Sequence, residues 1–126
     1  MKAAVRDVAA ALSREIRLVI ARDPGLCQAI GDPDRLLPPI TVESMESTDW
    51  ASATFVGQHH RLELRIDSDG SDPALAVARL SVLLVAAEIE LTGHFVAEIA
   101  VVGAEIADRS HGHSLSVVVE ALTIED

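Results

Sequence analysis

Five histidines are the residues of this chain best suited to hold a metal: His59-His60, His94 and His111-Gly112-His113. Zinc needs about three or four ligands converging on one point. Adjacent strand residues point to opposite faces, so His59 and His60 reach a single ion only if the strand breaks there. A right-handed crossover after a strand ending at Asp67 places His94 at the same sheet end as His59. It leaves His111 and His113 at the other end. The pairs are held apart, no metal site is expected, and the histidines read as solvated turn residues.

Nucleophilic catalysis needs a Ser or Cys beside a base and an orienting group. Ser81 lies in an apolar stretch with no elbow motif around it. Cys27 has Asp23 and Asp32 near it in sequence, and that acidic setting raises a thiol pKa. Glu98, Glu105 and Glu120 have the chemistry of an acid–base pair, but on late strands they read as the solvent face of a sheet. Gly31 and Gly70 are isolated turn glycines, not a phosphate loop. No catalytic residue and no cofactor is expected, and the chain does not read as an enzyme.

The elements that would position these residues follow from periodicity. Val5, Val8, Ala9, Leu12, Ile16, Val19 and Ile20 recur at helical spacing, which predicts an amphipathic helix over 3–22. Asp23-Pro24-Gly25 stops it, with Gly25 free to take a left-handed cap, and Leu26 to Ile30 reads as a further short turn. Gly31-Asp32-Pro33-Asp34 reads as a loop. Residues 40–46 read as a strand led by Pro38-Pro39, and 47–58 as a long polar loop or weakly paired hairpin. In 59–67, Leu62, Leu64 and Ile66 point inward while Arg61, Glu63, Arg65 and Asp67 face water.

Residues 67–71 read as a turn. Asp72 and Pro73 then open a helix over 73–91 that is apolar nearly all round, its charges being Arg79, Glu88 and Glu90. Such a helix is covered on two sides or lies at a subunit interface. A strand over 94–107 carries Phe95, Ala97, Ile99 and Val101 on one face, with a bulge at Gly103. After a polar turn at 109–114, the last strand covers 115–124. The expected fold is α+β: two main helices on one face of a largely antiparallel sheet of about four strands, in the order helix–strand–strand–helix–strand–strand. No linker divides residues 1–126, which read as a single domain.

Composition narrows the partners. Apolar residues make up 49% of the chain, yet only Trp50, Phe55 and Phe95 are aromatic, so the core is aliphatic. A mean hydropathy of +0.30 leaves apolar surface for a partner. The net charge of −10 is uneven: residues 1–37 hold six basic and five acidic residues, and 38–126 hold four basic and fifteen acidic. That balance argues against specific nucleic-acid binding and against an anionic membrane surface. Cys27 stands alone, so no intrachain disulfide forms, which fits a reducing compartment. Arg6, Asp7, Arg14 and Glu15 interrupt any signal-peptide core, and the apolar run at 73–87 is too short and too charged to span a bilayer.

Trp50 sits in a polar stretch, where it either folds back on the core or serves a protein contact; Phe55 beside it favours the contact. Trp50, Phe55, Arg79 and Glu88 are the candidate interface residues.

The order of motifs resembles the tail terminator (tail-completion) proteins of long-tailed phages and gene transfer agents. The first helix with its Asp23-Pro24-Gly25 end and the Gly31-Asp32-Pro33 loop look like the opening of that family. Pro38-Pro39-Ile40-Thr41-Val42, Ser47-Thr48-Asp49-Trp50 and Gln58-His59-His60-Arg61-Leu62-Glu63-Leu64 look like its proline-led strand, loop and second strand. The Ala-rich helix and the closing strands also fit. Ile66-Asp67 stands where many relatives carry an aromatic, and Ala121-Leu122-Thr123 where they often have an Arg-containing segment.

The resemblance implies an α+β virion protein that assembles as a homohexameric ring on the head-proximal end of the tail tube. Its partners would be copies of itself, the tail tube protein and the head–tail connector or stopper protein, with DNA passing through the ring. It would form in the bacterial cytoplasm and end up at the tail–head junction of a particle. The competing reading is a non-enzymatic protein- or peptide-binding module outside any phage particle, using the strand that begins at Ile40 as an exposed edge.

Overall fold

A computed structural model describes residues 5–31, 40–68, 72–110 and 112–126. The expected loop at 32–34, the Pro38-Pro39 strand lead, most of the turn at 67–71 and His111 lie outside them.

Helix α1 spans Val5–Ala21. Its stripe is the one the spacing predicts, with Leu12, Ile16 and Ile20 fully buried. Asp23 then starts a second helix: its carboxylate accepts a hydrogen bond from the Leu26 amide at 2.8 Å, Pro24 takes the first position, and α2 runs Pro24–Ile30. The left-handed cap falls at Gly31, with φ 89°, and not at Gly25. Gly25 sits inside α2, where a Cβ would lie 3.0 Å from the Arg79 guanidinium carbon, so any larger residue would make that side chain shift.

Five antiparallel strands follow in the spatial order β1-β2-β5-β4-β3. β1 is Ile40–Ala51, β2 Val56–Ser68, β3 Glu90–Leu91, β4 His94–Arg109 and β5 Gly112–Glu125. Two expectations are revised here. Of the two readings of 47–58 the hairpin holds and the long loop does not: Ser47 to Ala51 pair with His60 to Val56, and the reversal is confined to residues 52–55. There the Ser52 amide donates to the Phe55 carbonyl at 2.8 Å, and the Ser52 hydroxyl accepts from the Phe55 amide at 3.0 Å. Backbone pairing with β2 outweighs the weak strand preference of these side chains.

The second correction concerns the helix that opens at Asp72. The cap is as expected, with the Asp72 carboxylate accepting from the Leu75 amide at 3.0 Å. However, α3 is Pro73–Ala86 and stops at Ala87. The next residues turn back as β3, which pairs with Phe95 and His94 across a turn at Gly93, φ 75°. This short hairpin is the fifth strand.

β4 carries two irregularities, at Ala97 and at Val102. The second neighbours the expected bulge at Gly103. The first reverses the parity of the strand's opening, so Val96, Ile99 and Val101 pack toward the core while Phe95 and Ala97 are exposed. The core lies between the helices and one face of the sheet. Leu62, Leu64 and Ile66 from β2 and Leu115, Val117 and Val119 from β5 meet Leu12, Ile16 and Ile20 of α1 and Leu80 and Leu84 of α3. Each such side chain contributes about 1.5–3 kcal/mol by leaving water. The opposite face carries Arg61, Glu63, Ser116 and Glu120. No helix among the described residues is long and apolar enough to cross a membrane.

Candidate functional site

The three aromatic residues gather at one end of the sheet. Trp50 of β1 sits opposite Gly57 of β2, Gly57 opposite Ile124 of β5, and Ile124 opposite Phe95 of β4. The four positions form one row across the outer face. Gly57 has to be glycine, because a Cβ there would stand 2.0 Å from the Thr123 carbonyl oxygen. Ile124 is buried although it lies on the outer face. Phe95 stands directly opposite it on β4, while Gly57 on the other side offers no side chain. Phe55 and Val56, at the tip of the β1–β2 hairpin beside the row, are 50% and 52% exposed; Phe95 is 41% exposed and Trp50 half-buried. One carboxylate shares the face of the row, Glu90 opposite Phe95, while Asp49 and Glu125 alternate to the other face.

Trp50 and Phe55 are thus brought together, and Phe95 joins them. Sequence reasoning missed Phe95 because alternation over 95–101 faced it inward, and no residue type marks the irregularity at Ala97. Arg79 and Glu88 fall elsewhere. The Arg79 guanidinium grips Asp23 with Nε at 2.9 Å and Nη2 at 3.0 Å, tying α3 to the start of α2. That hydrogen bond, followed by the amide of Leu26, holds the Asp23 carboxyl below the usual range against the effect of burial, and it raises the Arg79 pKa. Glu88 is exposed in the connection from α3 to β3.

The histidines divide as the crossover argument predicts. His59 and His94 lie at the aromatic end, and His113 at the other, opposite Ser68 and Asp108. His60 corrects the expectation of solvated turn residues. It is fully buried inside β2, on the same face as Leu62 and Leu64. Its Nδ1 lies 2.7 Å from the Ser47 hydroxyl of β1 and its Nε2 2.8 Å from the Thr123 hydroxyl of β5. The Thr123 hydroxyl donates to the Gln58 carbonyl at 3.4 Å, so it accepts from His60 Nε2–H, and Nδ1 is left to accept from Ser47. One neutral ring therefore ties three strands together. Burial, then the nearby charges of His59 and His94, pushes its pKa down to about 4. The parity of residues 60, 62, 64 and 66 was the available signal.

The remaining chemistry is structural. Among the described residues no group of three His, Cys, Asp or Glu side chains converges on a metal-sized point. Glu120 is engaged by His59 at 3.2 Å and by Arg61 at 3.6 Å. Cys27 is partly buried, donates toward the carbonyls of Ile20 and Ala21, and has its pKa raised by burial and by Asp23. Ser81 is tied to the Val77 carbonyl one turn back.

The fold has a solved counterpart. A chain in a structure described as the virion of a native gene transfer agent particle superposes with a TM-score of 0.69, at 20% sequence identity, over 93% of this chain and 97% of that one. At that identity the likeness establishes a shared fold. No family model and no curated protein matches the chain.

Proposed function

We propose that this protein is a virion structural protein of the tail terminator type, capping the head-proximal end of a tail tube as a homohexameric ring. The observation that carries the reading is the fold shared, nearly end to end, with a chain of a gene transfer agent virion. The motif order from Asp23-Pro24-Gly25 through His59-His60-Arg61 points the same way. Two physical features support it. Exposed apolar surface on α3 and at the aromatic sheet end suits a subunit that is never alone in its working state. The acidic excess gives a channel wall that repels DNA in transit. In this reading the ring halts tube growth and offers its other face to the connector or stopper protein.

Deleting the gene in its source organism and measuring tails by negative-stain electron microscopy tests this. Over-long, uneven tails without heads are expected; normal tails joined to heads would sink it. A second reading, a protein-binding module, is favoured by one observation, that β1 lies at the rim of the sheet and is paired on one side among the described residues. That reading expects a monomer or dimer and no tail phenotype.

A further inference from the structure

The sheet is not aliphatic along the whole of its inner face. At the end that holds the β1–β2 hairpin, the face turned to the helices carries Ser47 and Asp49 of β1, Gln58 and His60 of β2 and Thr123 of β5, so a polar layer closes off the core. The buried Gln58 Oε1 in that layer has no hydrogen-bond partner among the described residues. The strand above it, β1, is divided by its irregularity at Glu43. Before that point Ile40 and Val42 pack against the core. After it no side chain of β1 is buried, and Ser47 and Trp50 alone are half-buried. The outer segment is held by its ladder to β2, on one side only, and by the hydrogen bond from Ser47 to His60 Nδ1.

We propose that His60 is an acid-released latch: a proton taken up at Nδ1 frees the outer segment of β1, Ser44 to Ala51, to lift from β2 while the rest of the fold stays in place. The direction of opening follows from the tautomer. Nε2 already carries a hydrogen, given to Thr123, so an added proton arrives at Nδ1, and Nδ1 faces β1. No strand lies beyond β1 among the described residues, so lifting it brings water to Nδ1 and leaves the β2–β5 ladder intact. Little apolar surface is uncovered, because the layer beneath is polar. Trp50 and the hairpin tip with Phe55 move with the segment. The described charges around the ring do not hold an imidazolium in place: His59 and His94 oppose it, Asp49 and Glu125 share its face but are exposed, and α1, which touches β1, contributes Arg14, Glu15, Arg17 and Arg22. In the closed form burial keeps the ring neutral down to about pH 4, whereas in the lifted form it meets water and titrates near 6.5. The lifted form therefore gains on the closed one as pH falls below 6.5, by about 20-fold between pH 7 and pH 5.

Complete unfolding exposes the same ring, so the test has to separate the segment from the whole. Native-state hydrogen exchange is followed on the full chain from pH 7 to pH 5, with each amide corrected for its intrinsic rate. The ladder amides of Ser44 to Ala51 are expected to be less protected than those of the β2–β5 centre at every pH, and to lose about 20-fold in protection over that span. Protection of the segment that does not change with pH would mean that it frays without the ring, and overturns the latch. Equal protection in the segment and in the centre would mean that they open only together, and overturns it too. His60→Gln should abolish the pH dependence of the segment; a fall of the same size in that variant gives the effect to another group and sinks the proposal. His59→Gln and His94→Gln, at positions that are not buried, should retain the fall. Its loss in either would count equally against His60, whether or not His60→Gln folds.

Discussion

The buried His60 ring makes the stability of this fold depend on pH in a calculable way. In the folded chain its pKa sits at about 4, against an ordinary value of 6.5. The neutral ring is the one that fits: Nδ1 accepts from Ser47, Nε2–H donates to Thr123, and no water reaches it. The unfolded chain takes up the proton first as pH falls, so folding loses ground. The contribution is fully present above pH 6.5, is lost between 6.5 and about 4, and levels off once the folded ring protonates too. Each decade of lost proton affinity is worth about 1.4 kcal/mol. The native state should therefore lose about 2 kcal/mol by pH 5 and about 3 kcal/mol by pH 4 from this ring alone.

Urea denaturation at pH 8, 6, 5 and 4 on the natural chain and on His60→Gln checks it. Glutamine keeps a hydrogen-bonding side chain and does not titrate in that range. Carboxylates common to both chains cancel in the difference. The gap between the two stabilities should narrow by about 2 kcal/mol from pH 8 to pH 5. Parallel curves would refute the reasoning, because the ring would then be free to charge where it stands.

Three further outcomes follow from packing. Gly57→Ala pushes a methyl into the Thr123 carbonyl and should cost about 2–3 kcal/mol or prevent folding; Gly103→Ala, whose Cβ would stand 3.8 Å from Val118, should leave the melting temperature within a few degrees. Asp23→Ala removes the α2 cap and the partner of Arg79 together, with an expected loss of about 1 kcal/mol by chemical denaturation. Leu84→Ala, at a fully buried position, should cost about 2–5 kcal/mol, whereas Val85→Ala on the exposed side of α3 should stay within about 0.5 kcal/mol.

The parts of the fold legible in the sequence are those where one residue type does one job. The stripe of α1, the Asp23-Pro24 and Asp72-Pro73 helix starts, and the alternation of Leu62, Leu64 and Ile66 each state their geometry locally. The rest was decided by partners distant in sequence. Ser47 to Ala51 become strand because β2 lies alongside, not because Glu46-Ser47-Thr48-Asp49 favours it. α3 ends at Ala86 with no breaker residue, because Glu90 and Leu91 find β4. The candidate site shows the same division. Trp50 and Phe55 stood out by composition, while Phe95 needed the irregularity at Ala97 to turn it outward, and His60 needed Ser47 and Thr123, 13 and 63 residues away, to make its burial tolerable.

The irregularities at Glu43, Ala97 and Val102 all lie on β1 and β4, while the central β2–β5 register runs without a break. Among the described residues β1 is one rim of the sheet, and β4 forms the other beyond the two residues that β3 covers. Each displaced residue interrupts the even row of amides and carbonyls that an incoming strand would need, so an added strand could pair evenly only in segments, such as the unbroken run Ser44–Ala51 on β1. If the protein ends a polymer, as proposed, the same irregularities discourage its own copies from pairing along the full length of a rim.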